Sequence, residues 1–482
     1  MQQLSGLDAS FLYFETPNAP MHIGGFAIYD PSTLSGPLHY ERFLENVERR
    51  LHLARCFRQK LVRVPLDLDH PYWLEDEDFD LEFHVRHIAL PPPGDWRQLC
   101  TQVARLHARP LDLSKPLWEM YLIEGLDRID GIPAGSFAIV TKVHHAAIDG
   151  VSGSELVAAI HDLRPDSQPK PPSKPWQPER TPGSAELLTR SLGHNLSSPF
   201  RLAGLLGRTV PAWRRFEEQR RAMSYEPIGE VPRTRFNGPV TAHRVAGGVV
   251  LDLATVREIK KSVAGATVND VILSVCGGAL RRYLEAKDEL PGSSLIAAAP
   301  ISVRSEAETG TAGNRVSMMS VTVRSDVEDP AKRLEAVFRG TRSQKKISEA
   351  LGATLMTDVS QFLPGMLAGL AARAYTRLGL ANRLNPLFNT VITNIPGPQV
   401  PLYSAGARLV ANYGLGPILD GMGLIHPIFS YCGEISVSFT SCRAMLPDPG
   451  FYEECLQASY HALAAATLGT AAPRVRGDDP AA

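Results

Sequence analysis

The sequence predicts a mixed α/β protein, α+β in layout, built as two lobes of mixed sheet flanked by helices. Three observations carry that prediction. The chain has 482 residues, and single hydrophobic cores stop growing at roughly 250–300 residues. Short apolar runs with strand spacing alternate with stretches of helical spacing. Between them lies one break, the proline-rich stretch from Pro165 to Pro182, including Lys170-Pro171-Pro172-Ser173-Lys174-Pro175, which suits an extended linker. The expected division is a first lobe over 1–164, a linker with a helical segment over 165–235, a second lobe over 236–470 and a flexible tail over 471–482.

In the first lobe, Met120 to Ile123 reads as a strand, and Pro116-Leu117-Trp118 leading into it looks like the edge of a core. Phe137 to Val143 reads as a half-buried strand after the turn-like Ile132-Pro133-Ala134-Gly135. It runs into His144-His145-Ala146-Ala147-Ile148-Asp149-Gly150. Beyond Gly150, Ser152 and Glu155 have capping-box spacing, and Leu156, Ile160 and Leu163 share one helical face. Strand, tight loop and helix therefore frame the two histidines. Such a frame can hold a side chain within fractions of an ångström.

After the linker, Ser184 to Met223 interleaves leucines such as Leu187, Leu192 and Leu205 with arginines such as Arg190, Arg201 and Arg214, broken by Pro199 and Pro211. It reads either as helix packed over the junction of the lobes or as a basic amphipathic helix at a lipid interface. Val240 to Leu251 reads as a strand interrupted at Gly247-Gly248, and Ala254 to Ala264 as a helix. Thr267 with Asp270 forms a capping box for a further helix with Ile272, Val275, Cys276, Ala279 and Leu280 on its apolar side. Leu295 to Ser302 is an apolar run followed by Val303-Arg304. Thr393 to Pro398 is a turn by composition, with Gly397 free to take positive φ. Met366 to Leu378 and Gly414 to Ile428 are apolar segments that suit core packing.

Composition excludes several classes. The formal net charge is −1, so no global basic field points to nucleic acid. Six cysteines are scattered without Cys-x-x-Cys spacing and no signal peptide opens the chain, which suits a reducing, cytoplasmic location. No apolar run reaches the roughly 20 residues needed to span a bilayer. No Walker-type phosphate loop or dinucleotide fingerprint is present.

A histidine, with an unperturbed pKa of about 6.5, can accept and return a proton near neutrality. Adjacent residues at a strand end point in opposite directions, so only one of His144 and His145 can face a reactant. Zinc fits poorly, because the spacing lacks the helical His-x-x-x-His arrangement and no cysteine pair lies nearby. Gly150-Val151-Ser152-Gly153-Ser154 lacks the final glycine of a nucleophile elbow, which disfavours a serine acyl-enzyme. Asp149, four residues after His145, can orient the loop, in one reading through contact with backbone amides. A buried carboxylate needs a partner, and a guanidinium can grip it with two bonds.

The whole string His-His-x-x-x-Asp-Gly resembles the signature of the coenzyme A-dependent acyltransferase superfamily, which includes the condensation domains of peptide synthetases. Leu4-Ser5-Gly6-Leu7-Asp8-Ala9-Ser10-Phe11 with Pro20-Met21-His22-Ile23-Gly24-Gly25 resembles the opening of bacterial wax ester synthase/diacylglycerol acyltransferases. Phe83-His84-Val85-Arg86-His87, Pro116-Leu117-Trp118-Glu119 followed by Ile123-Glu124-Gly125-Leu126, Val268-Asn269-Asp270-Val271 and Asn394-Ile395-Pro396-Gly397-Pro398 match motifs of that family in order. The resemblance spans nearly the full chain.

The resemblance implies two lobes like chloramphenicol acetyltransferase, meeting along a central channel, with acyl-coenzyme A as co-substrate and no permanently bound cofactor or metal. It implies His145 as general base, His144 as inward loop support, Asp149 paired with Arg304 across the lobes, and Gly150 turning the chain away. Asn269 is implied as a hydrogen-bond donor near the reacting carbonyl, and Asp270, Asn394, Pro396 and Gly397 as contacts to substrate. The implied acceptors are a fatty alcohol or a diacylglycerol, with the enzyme working peripherally at the inner membrane or a lipid inclusion. Two alternatives stand beside this: an acyltransferase taking its donor from a carrier protein, and a non-catalytic lipid-droplet coat protein.

Overall fold

The computed structural model describes residues 1–34, 36, 40–148, 159–167, 169–172, 176–193, 229–302, 316–351, 374, 378–379 and 383–469. Up to His144 the chain forms β1 (Gln2–Gln3), α1 (Gly6–Phe14), β2 (His22–Asp30), α2 (Tyr40–Glu48), β3 (Gln59–Val62), β4 (Tyr72–Glu75), α3 (Leu81–His84), β5 (Val85–Ala89), α4 (Trp96–Ala108), β6 (Trp118–Glu124) and β7 (Phe137–His144). Later come β8 (Arg244–Asp252), α5 (Leu253–Lys261), α6 (Val268–Glu285), β9 (Ile296–Ser302), β10 (Val316–Thr322) and α7 (Pro330–Leu351). The last are β11 (Thr390–Pro396), β12 (Tyr403–Ser404), β13 (Ala407–Leu415), β14 (Leu424–Tyr431), β15 (Glu434–Cys442) and α8 (Pro449–Leu468). The mixed α/β prediction holds.

Two six-stranded sheets dominate, in the orders β12-β13-β2-β7-β6-β5 and β10-β9-β11-β14-β15-β8. Each is mixed: β5 runs parallel to β6, and β11 runs parallel to both β9 and β14. The stretch 236–470, expected as the second lobe, lends β12 and β13 to the first lobe's sheet. There β13 pairs antiparallel with β2, while Gly414 of the same strand and Gly416 just after it donate to Ser438 and Thr440 of β15 at 3.0 and 3.4 Å. One strand thereby joins both sheets.

Local chemistry accounts for the helix starts. Asp95 and Gln98 close a capping box at α4, and Thr267 and Asp270 close the predicted one at α6. From Val271 to Leu280 every residue of α6 is buried, so this helix is the interior spine of the second lobe.

Three sequence expectations change. Phe137 to Val143 is buried on both faces. Phe137, Ile139 and Val143 pack into one core, and Ala138 and Val140 pack into another that includes residues of α4 and β8. Gly247-Gly248 does not interrupt β8, whose pairing with β15 is continuous. A Cβ on Gly247 would sit 2.3 Å from Glu453 Oε1, so the glycine admits that carboxylate, which accepts from Trp96 Nε1 and Gly248 N at 2.9 Å each. Finally, Thr393 to Pro398 is mostly strand: β11 runs on to Pro396 beside β14. Gly397 does not use positive φ. A Cβ there would stand 2.2 Å from the Ser430 carbonyl oxygen, so close backbone approach is what requires glycine.

The proline-rich linker continues into a helix over 184–193, whose Leu187 packs with Val64 and Tyr72. The rest of the Ser184–Met223 segment lies outside the described residues, as do the predicted helix start at Ser152 and Glu155, most of Met366 to Leu378, and the tail.

Candidate active site

The site grows from the ends of two paired strands. In the register of β2 and β7, His22 stands directly opposite His144, so two imidazoles meet where the strands stop. His144 is fully buried, as its place on the inward side of the strand end requires. Its Nδ1 accepts from the Ala146 amide at 3.1 Å, and its Nε2 lies 3.5 Å from Glu15 Oε2.

His145 begins a 3-10 turn running to Ile148. Its amide donates to the Met21 carbonyl at 2.8 Å, tying the turn to the chain entering β2. Its ring is only partly covered and stacks on Phe11 of α1, with centroids 3.7 Å apart and planes 13° from parallel. Burial, with His144 adding to it, lowers its pKa to about 4. The imidazole is therefore neutral at physiological pH and available to accept a proton.

Behind the pair lies a polar layer that sequence reasoning missed. Glu15, at the end of α1, sits 3.7 Å from His22 Nε2 and accepts from the Met21 amide at 3.4 Å. The His22 ring lies 6.0 Å from that of His144 and 6.1 Å from that of His107 on α4. Burial, reinforced by Lys142 and the neighbouring histidines, holds His22 well below its ordinary pKa. Burial, with Arg244, puts His107 at about 3. These histidines are neutral scaffolding.

Lys142 and Glu119 also stand opposite each other, on β7 and β6. Lys142, 1 % exposed, donates to Glu119 Oε2 at 2.7 Å and to the carbonyls of Leu106 and Arg109 at 3.3 and 3.0 Å. Tyr121 OH donates to the same carboxylate at 2.7 Å, and Arg86 lies 3.4 Å from it. A lysine and a glutamate inside otherwise apolar strands were the available signal, and their cross-strand pairing is what makes the burial tolerable.

Among the other predicted residues, Asn269 is half-buried in the first turn of α6. Asp270 beside it is 3 % exposed. One of its oxygens accepts from the Thr267 amide and hydroxyl at 2.7 Å, and the other from the Thr341 hydroxyl at 2.6 Å. Its carboxylate is spent joining α6 to α7. Asn394 is half-buried and Pro396 exposed on the part of β11 that pairs with β14 alone, since pairing with β9 covers only Thr390 and Val391. Asp149, Gly150 and Arg304 lie outside the described residues. No group of three or more metal-ligating side chains is arranged to hold an ion among the described residues.

The profile described as wax ester synthase/diacylglycerol acyltransferase catalytic domain matches residues 4–272, which contain both histidines. The chain belongs to the wax ester synthase/diacylglycerol acyltransferase family. It is an acyltransferase of that type, and the family's C-terminal domain matches residues 312–464. The Mycobacterium tuberculosis protein named putative diacyglycerol O-acyltransferase Rv1760 is 36% identical over 452 residues, covering 93% of this chain and 87% of the relative. The protein named probable diacyglycerol O-acyltransferase tgs2, also from Mycobacterium tuberculosis, is 32% identical, covering 91% of this chain and 94% of its own. Among solved structures, the wax ester synthase/diacylglycerol acyltransferase of Marinobacter aquaeolei VT8 superposes with a TM-score of 0.68 at 27% identity, covering 97% of this chain and 99% of that one. A starter condensation domain of rhizomide synthetase RzmA, crystallised with C8-CoA, shares the fold at a TM-score of 0.51 and 14% identity, covering 99% and 97%.

Proposed function

We propose that this acyltransferase moves a long acyl chain from acyl-coenzyme A to a lipid alcohol, either a fatty alcohol or a diacylglycerol, with His145 as general base and no acyl-enzyme. The observation that carries the mechanism is the division of labour between the two histidines. His144 is fully buried, with its Nδ1 engaged by the Ala146 amide, whereas His145 is partly open, neutral and braced by Phe11. His145 accepts the proton of the alcohol hydroxyl as its oxygen attacks the thioester carbonyl. The tetrahedral intermediate then expels the thiolate, the C–S bond breaks, and the proton passes to sulfur. Asn269 or a backbone amide donates to the oxyanion, a contact typically worth about a hundredfold or more in rate. Asp270 supports this by fixing the turn that carries Asn269.

In this reading Asp149 and Arg304 pair to hold the loop across the lobes, Gly150 turns it away, and Asn394, Pro396 and Gly397 flank the acyl path where β11 parts from β9. The enzyme works from the surface of the inner membrane or a lipid inclusion. No helix among the described residues is long and apolar enough to cross a membrane, and the basic segment within 184–223 suits anionic headgroups.

Thiol release from palmitoyl-coenzyme A, with hexadecanol and with dipalmitoylglycerol as acceptors, tests the proposal. Wild-type protein should release thiol, and His145→Ala should lose about a hundredfold or more. An active His145→Ala variant refutes the base assignment. Transfer only from a palmitoylated carrier protein would favour the condensation type of reaction.

A further inference from the structure

The seam between α4 and the start of β8 holds a cleft of about 600 Å³, and its lining includes Arg97, Arg105, Arg109, His243, Arg244 and Arg443. No aspartate or glutamate lines it. Among the described residues, none of the five guanidinium groups makes an ion pair. In a chain whose charges nearly cancel, five such cations gathered in one concavity repel each other unless an anion joins them.

Two of the arginines are set into the wall. Arg244, 5 % exposed, donates to the carbonyls of Thr241 and Asn18 at 2.5 and 2.6 Å. Burial lowers its pKa to about 10, which leaves it charged. Arg97 donates through one terminal nitrogen to the Ala246 carbonyl at 3.0 Å, while its other terminal nitrogen is buried without a hydrogen-bond partner. The carboxylate of Glu453, which Arg97 influences, is already held by Trp96 and Gly248.

The cleft is wired to the catalytic strand ends. The carbonyl of Arg109 accepts from Lys142, and the Leu111 amide donates to His22 Nε2 at 3.4 Å. Arg244 holds the carbonyl of Asn18, shortly before Met21, whose own carbonyl anchors His145. We propose that this cleft takes the phosphates of coenzyme A, its diphosphate and ribose 3′-phosphate, while the pantetheine arm runs along the ends of β2 and β7 to His145. The proposal rests on acyl-coenzyme A being the donor. Recessed arginines favour a discrete polyphosphate over a flat layer of headgroups, because Arg97 and Arg244 cannot reach a planar surface.

Arg105, Arg109 and Arg443 are exposed and suit substitution. Calorimetry of the full chain with adenosine 3′,5′-bisphosphate needs no turnover, and the R105A/R109A and R443E variants should bind it about tenfold or more weakly than wild type. In thiol-release assays these variants should show a raised KM for palmitoyl-coenzyme A, with a far smaller change for palmitoyl-pantetheine, which lacks the nucleotide. Circular dichroism and melting curves of the variants should overlay those of wild type. Equal nucleotide binding by wild type and variants, or none by wild type, overturns the proposal. So does loss of phosphatidylglycerol vesicle binding with nucleotide binding intact, which would make the cleft a headgroup site. Nucleotide binding without thiol release to any alcohol would count against the acyl-transfer reading and leave the cleft standing.

Discussion

Replacing Lys142 with methionine should destabilise the first lobe by about 3–5 kcal/mol, the range for removing one member of a buried ion pair. The ammonium is 1 % exposed, and three acceptors depend on it: Glu119 and the carbonyls of Leu106 and Arg109 near the end of α4. Methionine fills much of the space and supplies no donor. Arg86 at 3.4 Å and the Tyr121 hydroxyl at 2.7 Å remain on Glu119, and the Arg86 side chain is 35% exposed, so solvent screens its contribution and the lower end, about 3 kcal/mol, is expected. Removing the charge from Glu119 as well should recover part of this, so Glu119→Gln/Lys142→Met should be more stable than the sum of its single substitutions predicts. Equilibrium urea denaturation followed by tryptophan fluorescence reads these differences, with Trp118 next to Glu119 in β6 as the local reporter. A loss below about 1 kcal/mol for Lys142→Met, or strict additivity in the cycle, would mean that the two charges are hydrated or uncoupled and that the buried pair does not hold the lobe together.

Phe11→Ala removes the ring that covers His145, so the His145 pKa should move from about 4 toward the ordinary value. The acid limb of kcat/KM should move up with it, and an unmoved limb would show that Phe11 does not set this environment. Acid should destabilise the fold below about pH 6.5. Burial lowers His145 to about 4 and both His107 and the fully buried His426 of β14 to about 3, so the unfolded chain takes up protons first as pH falls. Stability present above about 6.5 is then lost toward those values, by up to about 1.4 kcal/mol per pH unit per histidine. Denaturation midpoints that stay constant from pH 7 to pH 5 would contradict it. Gly397→Ala places a Cβ against the Ser430 carbonyl, which cannot swing aside, and should cost about 1–3 kcal/mol. An unchanged melting temperature would mean that the end of β11 yields freely.

Much of the site was legible because its signals are local. The run of apolar residues ending at His144 has strand spacing, and a strand end separates two neighbouring side chains by geometry alone. Thr267 and Asp270 are three residues apart, which is all a capping box needs. The misread elements share one property: their character depends on a partner distant in sequence. Gly397 looks like a turn residue until Ser430 is brought against it, and Gly247 looks like a break until Glu453 fills the space. Phe137 to Val143 looks half-buried until a second core covers its other face.

The mixed α/β class, the family resemblance and the placing of two adjacent histidines at the end of a strand are written locally, because period, caps and motif spacing are all read within a few residues. What surrounds His145 comes from long-range packing. Phe11 reaches His145 from another element, His22 meets His144 through the register of two strands, and Glu119 neutralises Lys142 across a third. The same packing made β13 a strand of the first lobe and gathered arginines from α4 and its C-terminus, β8 and the loop after β15 into one cleft. Burial, and with it the lowered pKa of His22, His107 and His145, is a property of neighbours that are remote along the chain.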